Sequence, residues 1–239
     1  MALEEVRYHH GDTALTGWLA RPAGPARGAI VLFPTIMNVN APMERRARML
    51  ADAGYVALIA DFYGQPVADF AASHALAETL RADVRHYRDR IGAAVATLRA
   101  HEAAADLPIG AIGFCMGGQA VLELARDGAN LDVVVSFHGI LATGRPAQPG
   151  DTIRPRILIC HGDKDPLVPR PQVLAFWEEM DGAHADWHFH AYARAKHGFT
   201  DPDSDARGLP AIGYDASADR QSWAAMLSLL SETWGDRAG

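Results

Sequence analysis

An α/β fold is predicted for this chain, with a mostly parallel central sheet, helices on both faces and no cap domain, and three observations predict it. Short apolar runs rich in β-branched residues alternate with longer amphipathic runs, an opening hairpin precedes that alternation, and no linker, repeat or low-complexity tract interrupts it. At 239 residues, 49% of them hydrophobic, there is chain enough for one full-sized core, so a single domain over 1–239 is expected.

The elements follow in order. "EEVRYHH" and "ALTGWLAR", separated by the turn signal "GD", predict a hairpin. "GAIVLFP" (28–34) is short, apolar and β-branched, as a strand buried on both faces should be. "MERRARMLADAGY" then sets charges on one face and Met, Leu and Ala on the other, which is a helix. "YVALIADF" (55–62) is the next strand, and an Ala-rich stretch from about Ser73 to Ala103 has the propensity of one long helix. "LPIGAIGF" (107–114) is a strand, "QAVLELAR" a helix, and "LDVVVSFHG" and "RPRILICHG" two further strands. "PQVLAFWEEM" is a helix, "ADWHFHAY" the last strand and "SADRQSWAAMLSLLSETW" an amphipathic closing helix. The seventeen residues 139–155, rich in Gly and Pro, are too short and too broken to build a helical cap, so the mouth of any site on this side should be open.

Charge and composition exclude several functions. A formal net charge of -7 with scattered basic residues offers a nucleic-acid backbone or an anionic membrane surface nothing to hold. The segment "MALEEVRYHHGD" is polar, and no stretch approaches the roughly 18 uninterrupted apolar residues of a membrane span, so a cytoplasmic location is expected. Two cysteines, Cys115 and Cys160, do not describe a disulfide framework.

The chemistry gathers at "GFCMGG" (113–118). In a parallel sheet the ligand site lies outside the carboxyl ends of the strands, and Cys115 stands there, between a buried strand and a helix. Gly113, Cys115 and Gly117 match the G-x-S-x-G nucleophile elbow with sulfur in place of oxygen. Glycines let strand and helix approach at a turn too sharp for side chains, which lifts the central side chain toward solvent. The helix that begins there favours thiolate over thiol. The competing reading is a buried packing cysteine. A thiol nucleophile needs an imidazole and a carboxylate that orients it, and in this fold the order is nucleophile, acid, histidine. "HGDKDPLVP" supplies Asp163 and Asp165, of which the run Gly162 to Pro169 favours Asp165, with Asp163 a solvated turn residue. "KHGF" supplies His197 just past the last strand.

The remaining candidates are weaker. His188 and His190, with His184 nearby, have the i, i+2 spacing of one strand face, yet no carboxylate or cysteine completes a cluster, so no metal site is expected. His9 and His10 read as surface residues, Cys160 as a small buried hydrophobe and His161 as a residue shaping the acid loop. His138, at the carboxyl end of its strand, should face the site, where packing, hydrogen bonding or a catalytic duty are all open.

With these residues placed, the chain resembles the dienelactone hydrolase family of α/β-hydrolases over nearly its whole length. The marks are "FPTIMNVN" with the helix after it, "YVALIADFYG", "IGFCMGGQA", "HGDKDPLVP" and "KHGF", in the family's order. The resemblance implies an α/β-hydrolase fold, Cys115 as nucleophile, Asp165 as acid and His197 as base. It also implies an oxyanion hole from the backbone N–H groups of Met116 and of a residue after "GAIVLFP", here Ile36. Two departures mark this chain. Thr35 stands where dienelactone-cleaving members carry a glutamate against the thiol, and the arginine expected just past the catalytic histidine is absent, "HGFTDPDSD" being acidic there. Thr35 and His138 are thus placed at the substrate, and aspartates near the entrance are expected to disfavour an anionic one. The implied reaction is cleavage of a small neutral ester or lactone through an acyl-thioester, without metal or organic cofactor. A non-catalytic ligand-binding or regulatory member of the fold, or an amide hydrolase or acyltransferase using the same triad, are the alternatives.

Overall fold

The structure, a computed structural model, describes residues 3–235, so the outermost ends of the expected 1–239 domain lie outside the described residues. Eight strands form one sheet in the order β1-β2-β4-β3-β5-β6-β7-β8. The strands are β1 (Glu4–His10), β2 (Thr13–Ala20), β3 (Gly28–Phe33), β4 (Tyr55–Ile59), β5 (Ile109–Phe114), β6 (Val133–Phe137), β7 (Arg156–Gly162) and β8 (Trp187–Tyr192). β1 and β2 pair antiparallel, as do β2 and β4, and every other neighbouring pair is parallel. This is the α/β-hydrolase arrangement that the resemblance implies.

Burial on both faces follows from the period of the strand. Along β3, Ala29, Val31 and Phe33 pack into one apolar cluster with Tyr87, Ile91 and Val121, while Ile30 and Leu32 pack into the opposite one with Leu50, Met226 and Leu230. α3 (Val84–Ala100), α4 (Met116–Arg126) and α5 (Arg170–Gly182) supply the first face, and α1 (Ala41–Asp52) and α6 (Ala216–Trp234) the second. The edge strand β8 has only half-buried and exposed residues, with His188 and His190 both exposed. Among the described residues no group of His, Cys, Asp and Glu is arranged to hold a metal ion, and no helix is long and apolar enough to cross a membrane.

One element differs from its expectation. The single helix expected from Ser73 to Ala103 is two, α2 (Phe70–Arg81) and α3. Asp83 adopts an extended conformation and its carboxylate accepts from the N–H groups of Arg85 and His86, capping α3. Residue-by-residue propensity favours continuity through Ala82, and the side-chain cap overrides it. The break matters because α2 then forms a wall of the site.

The connection 139–155 contains no helix. It is fastened instead by buried side chains. Arg126 donates to the Leu141 carbonyl at 2.8 Å, Gln119 to that of Ala142 at 2.8 Å and Arg88 to that of Arg145 at 2.9 Å. The Ala147 N–H donates to Glu179 at 2.8 Å.

Candidate active site

Cys115 closes β5 and opens α4, with φ 56° and ψ -114°. A non-glycine residue held at positive φ is strained, and the surroundings impose it here. A Cβ on Gly113 would lie 1.9 Å from the Gly117 carbonyl oxygen, and one on Gly117 would lie 2.0 Å from that of Phe33. Only glycine fits at either position, because β3, β5 and α4 meet through bare backbone. The cysteine stands between them half-buried and lines a cavity.

Burial and its neighbours oppose one another in setting its ionisation. Burial raises the thiol pKa, and this is outweighed by the His197 imidazole and by hydrogen bonds from the backbone N–H groups of Met116 and Ile36, leaving the value below its ordinary range. The sulfur therefore lies against the two N–H groups that the resemblance assigned to the oxyanion hole. Cys160, fully buried in β7, is pushed up to about 12 by desolvation.

The three residues named for the triad converge from three loops. His197 Nδ1 lies 2.7 Å from Asp165 Oδ2, and both residues are buried. The other carboxylate oxygen of Asp165 accepts from the Leu167 N–H at 2.9 Å, which locks the side chain in its loop. His197 Nε2 is buried and bonds no nitrogen or oxygen among the described residues, and the remaining partner of the ring is the Cys115 thiol. Burial lowers the imidazole pKa, but the Cys115 thiolate and the bond to Asp165 raise it well above the usual histidine value. Asp163 faces the other way, bonded through both oxygens to Arg170 at 2.9 Å.

His138 lines the cavity, but both its nitrogens are taken. Nδ1 accepts from the Cys115 N–H at 3.2 Å and Nε2 lies 2.9 Å from Thr200 Oγ1, so the ring joins the elbow to the loop that bears His197. It therefore has no nitrogen free to bind a substrate, and burial beside His197 keeps it neutral. Thr35 also lines the cavity; its hydroxyl accepts from the Met37 N–H at 3.3 Å and its carbonyl from the Asn38 N–H at 2.9 Å, closing the turn that presents Ile36. His10, expected at the surface, is half-buried and accepts from Arg90 at 2.9 Å.

The cavity has a volume of about 490 Å³ and is mostly apolar, within the size range of small-molecule sites. Its walls correct the expected acidic entrance. Asp201, which stands past His197 where the arginine was sought, lines the cavity but pairs with Arg207, and Arg45, Arg46 and Arg81 reach the same space from α1 and α2. Arg46 is paired with Asp219, whereas Arg81 bonds only the Ala77 carbonyl and the Gln119 side chain. Four arginines and one aspartate line the cavity, two of the arginines being paired with carboxylates, so its lining is not acidic. Phe70, Leu167 and Leu209, three of the few large apolar side chains exposed anywhere on the described surface, ring the mouth. None of these wall residues was legible as functional, because each lies on an ordinary amphipathic helix or polar loop, and only their folding together makes a wall.

The comparisons with known proteins agree with this geometry. The profile of the dienelactone hydrolase family matches residues 15–234. A protein of a Bradyrhizobium species named a probable 2-oxo-3-(5-oxofuran-2-ylidene)propanoate lactonase is 32% identical over 86% of this chain and 89% of its own. Among solved structures, one named m3DLH superimposes with a TM-score of 0.90 at 38% identity, covering 97% of this chain and 98% of its own. A dienelactone hydrolase-like promiscuous phosphotriesterase, P91, from metagenomic libraries superimposes with a TM-score of 0.88 at 35% identity over the same shares. A match that begins inside β2 and ends with α6, carrying the elbow, the acid loop and the histidine loop in one frame, places the chain in the dienelactone hydrolase family, whose hydrolases act on ester and lactone bonds.

Proposed function

We propose that the chain hydrolyses small carboxylic esters or lactones with Cys115 as nucleophile, His197 as acid and base, and Asp165 as the residue that orients His197. The observation that carries this reading is the buried His197, bonded through Nδ1 to Asp165 and coupled to a Cys115 thiol whose pKa it lowers. The thiolate attacks the carbonyl carbon, the C–S bond forms, and the carbonyl oxygen takes the electron pair in front of the Ile36 and Met116 N–H groups. Collapse of that tetrahedral species breaks the C–O bond, and the imidazolium gives its Nε2 proton to the departing alkoxide. Neutral His197 then takes a proton from water, whose oxygen attacks the thioester. Release of the carboxylic acid returns the thiolate–imidazolium pair. In a lactone the alcohol remains tethered and leaves with the acid as one hydroxy acid.

The mouth's apolar ring fits an aliphatic or aromatic ester group, and its arginines admit a neutral or a singly anionic substrate. The name of the phosphotriesterase relative adds a second reading, attack of the same thiolate on a neutral phosphotriester, for which the N–H pair would hold a phosphoryl oxygen. A panel of p-nitrophenyl esters, small neutral and carboxylate-bearing lactones and an aryl dialkyl phosphate, assayed with wild type and Cys115→Ala, tests both. Turnover of esters or lactones that Cys115→Ala abolishes is expected. Turnover that survives in Cys115→Ala, or none on the whole panel, would defeat the proposal.

A further inference from the structure

Resting on the reading of Ile36 and Met116 as the oxyanion hole, two buried tyrosines address the carbonyls of those same two residues. Tyr63, just after β4, has its hydroxyl 3.1 Å from the Ile36 carbonyl oxygen, and Tyr87, on α3, has its hydroxyl 3.3 Å from that of Met116. The Tyr63 hydroxyl also lies 3.6 Å from the Met116 sulfur, so one phenol stands between both halves of the hole. We infer that Tyr63 and Tyr87 are positioning residues that set the separation and aim of the two N–H donors, with Tyr63 the principal one.

The two donors differ in how they are held. The Met116 N–H starts a helix and is fixed by it, whereas the Ile36 N–H belongs to a turn in which Asn38 takes a positive φ of 59°. That turn has no regular element to fix it. What holds it is the segment 61–64. Asn38 donates to Asp61 at 2.8 Å and accepts from the Phe62 N–H at 3.1 Å, and Tyr63 closes the arrangement on Ile36 itself. Asp61 is in turn bonded by the N–H groups of Thr16, Tyr63 and Gly64, at 3.0, 2.9 and 3.0 Å, so the support is rigid down to the sheet. Both phenols stay protonated donors at every working pH because burial raises their pKa values. An oxyanion hole acts by preorganisation, and a donor displaced by a fraction of an ångström loses much of its effect on the transition state while contributing little to ground-state binding.

Tyr63→Phe and Tyr87→Phe remove the hydroxyls and keep the rings. Tyr63→Phe is expected to lower kcat for a p-nitrophenyl ester about ten- to hundred-fold with KM within about threefold, and Tyr87→Phe less. Affinity for a trifluoromethyl ketone, which forms a tetrahedral adduct with the thiolate, should fall in parallel with kcat. The midpoint of iodoacetamide alkylation of Cys115 should move to higher pH, because the same N–H groups stabilise the thiolate. The alkylation profile needs no substrate, so it reads the hole even if the ester reading fails. Wild-type alkylation and ketone affinity in both variants, with thermal unfolding unchanged, would overturn the inference. Lost activity with those two readouts unchanged would make the tyrosines packing residues and overturn it equally.

Discussion

At the residue scale the thiol pair offers the cleanest contrast in the molecule. Cys115 is held below its ordinary value of 9.0 by His197 and two backbone N–H groups, while Cys160 is pushed up to about 12. Alkylation follows the thiolate, so the rate at Cys115 should persist as pH falls below 9 and drop only through the lowered value, with Cys160 unlabelled throughout. Peptide mapping after iodoacetamide treatment between pH 5 and 9 checks this, and early labelling of Cys160 would contradict it. The two aspartates of one loop should separate as sharply. Asp165→Asn keeps the shape but no longer orients the imidazole, and should cost ~10²–10⁴ in kcat. Asp163→Asn loosens only a bond to the exposed Arg170 and should stay within a few-fold. Thr35 tests the departure from the family's pattern. A glutamate there would stand beside the Ile36 turn and oppose a neighbouring thiolate, so Thr35→Glu should slow alkylation of Cys115 at neutral pH and protect it from peroxide. An unchanged rate, with circular dichroism intact, would mean that the carboxylate does not reach the sulfur.

At the element scale the elbow depends on what is missing from two residues. Gly117→Ala would set a Cβ 2.0 Å from the Phe33 carbonyl oxygen and 2.6 Å from that of Pro34, and Phe33 is held by its pairing with β5. It should destabilise the fold by ~3 kcal/mol or more in urea unfolding and abolish rapid alkylation of Cys115. Gly182→Ala, at the end of α5 with nothing within 4 Å of the new carbon, should change stability by no more than about 1 kcal/mol. The G-x-C-x-G pattern was legible because that constraint is local: sharp backbone needs glycine wherever it occurs. The break between α2 and α3 was not, because a single aspartate side chain decides it against a run of helix formers.

At the scale of the whole molecule, a buried chain of charges ties three helices to one another and to the connection 139–155. Arg88 bonds Glu123 at 2.9 Å, Arg126 bonds Glu123 at 3.1 Å, and Arg126 bonds Glu179 at 2.7 Å. Arg88, Glu123 and Arg126 are all buried, Arg88 also reaches Asp127 at 3.5 Å, and each arginine donates to a carbonyl of the 139–155 connection. This joins α3, α4 and α5 to the connection 139–155. Glu123→Leu leaves two buried guanidinium groups short of their shared partner and should cost about 3 kcal/mol in chemical unfolding. Limited proteolysis should then open the connection first, between residues 139 and 155, and a variant that kept wild-type stability would show that Glu179 and Asp127 compensate.

Apart from the break between α2 and α3, the element order, the opening hairpin and the elbow were legible in the sequence alone, as was the order in which Cys115, Asp165 and His197 follow one another, since each rests on local chemistry: strand-length apolar runs, glycines at a turn, a carboxylate and an imidazole at strand ends. What the tertiary structure decided is everything that depends on distance through space. It made His138, whose role the sequence left open between packing, hydrogen bonding and catalysis, a strut between Cys115 and Thr200, and brought Arg81 from α2 beside a loop that reads as acidic. It also set Tyr63 against the carbonyl of Ile36. Residues far apart in the chain leave no periodic or compositional trace of meeting, because the energy that brings them together belongs to the packing of the elements that carry them.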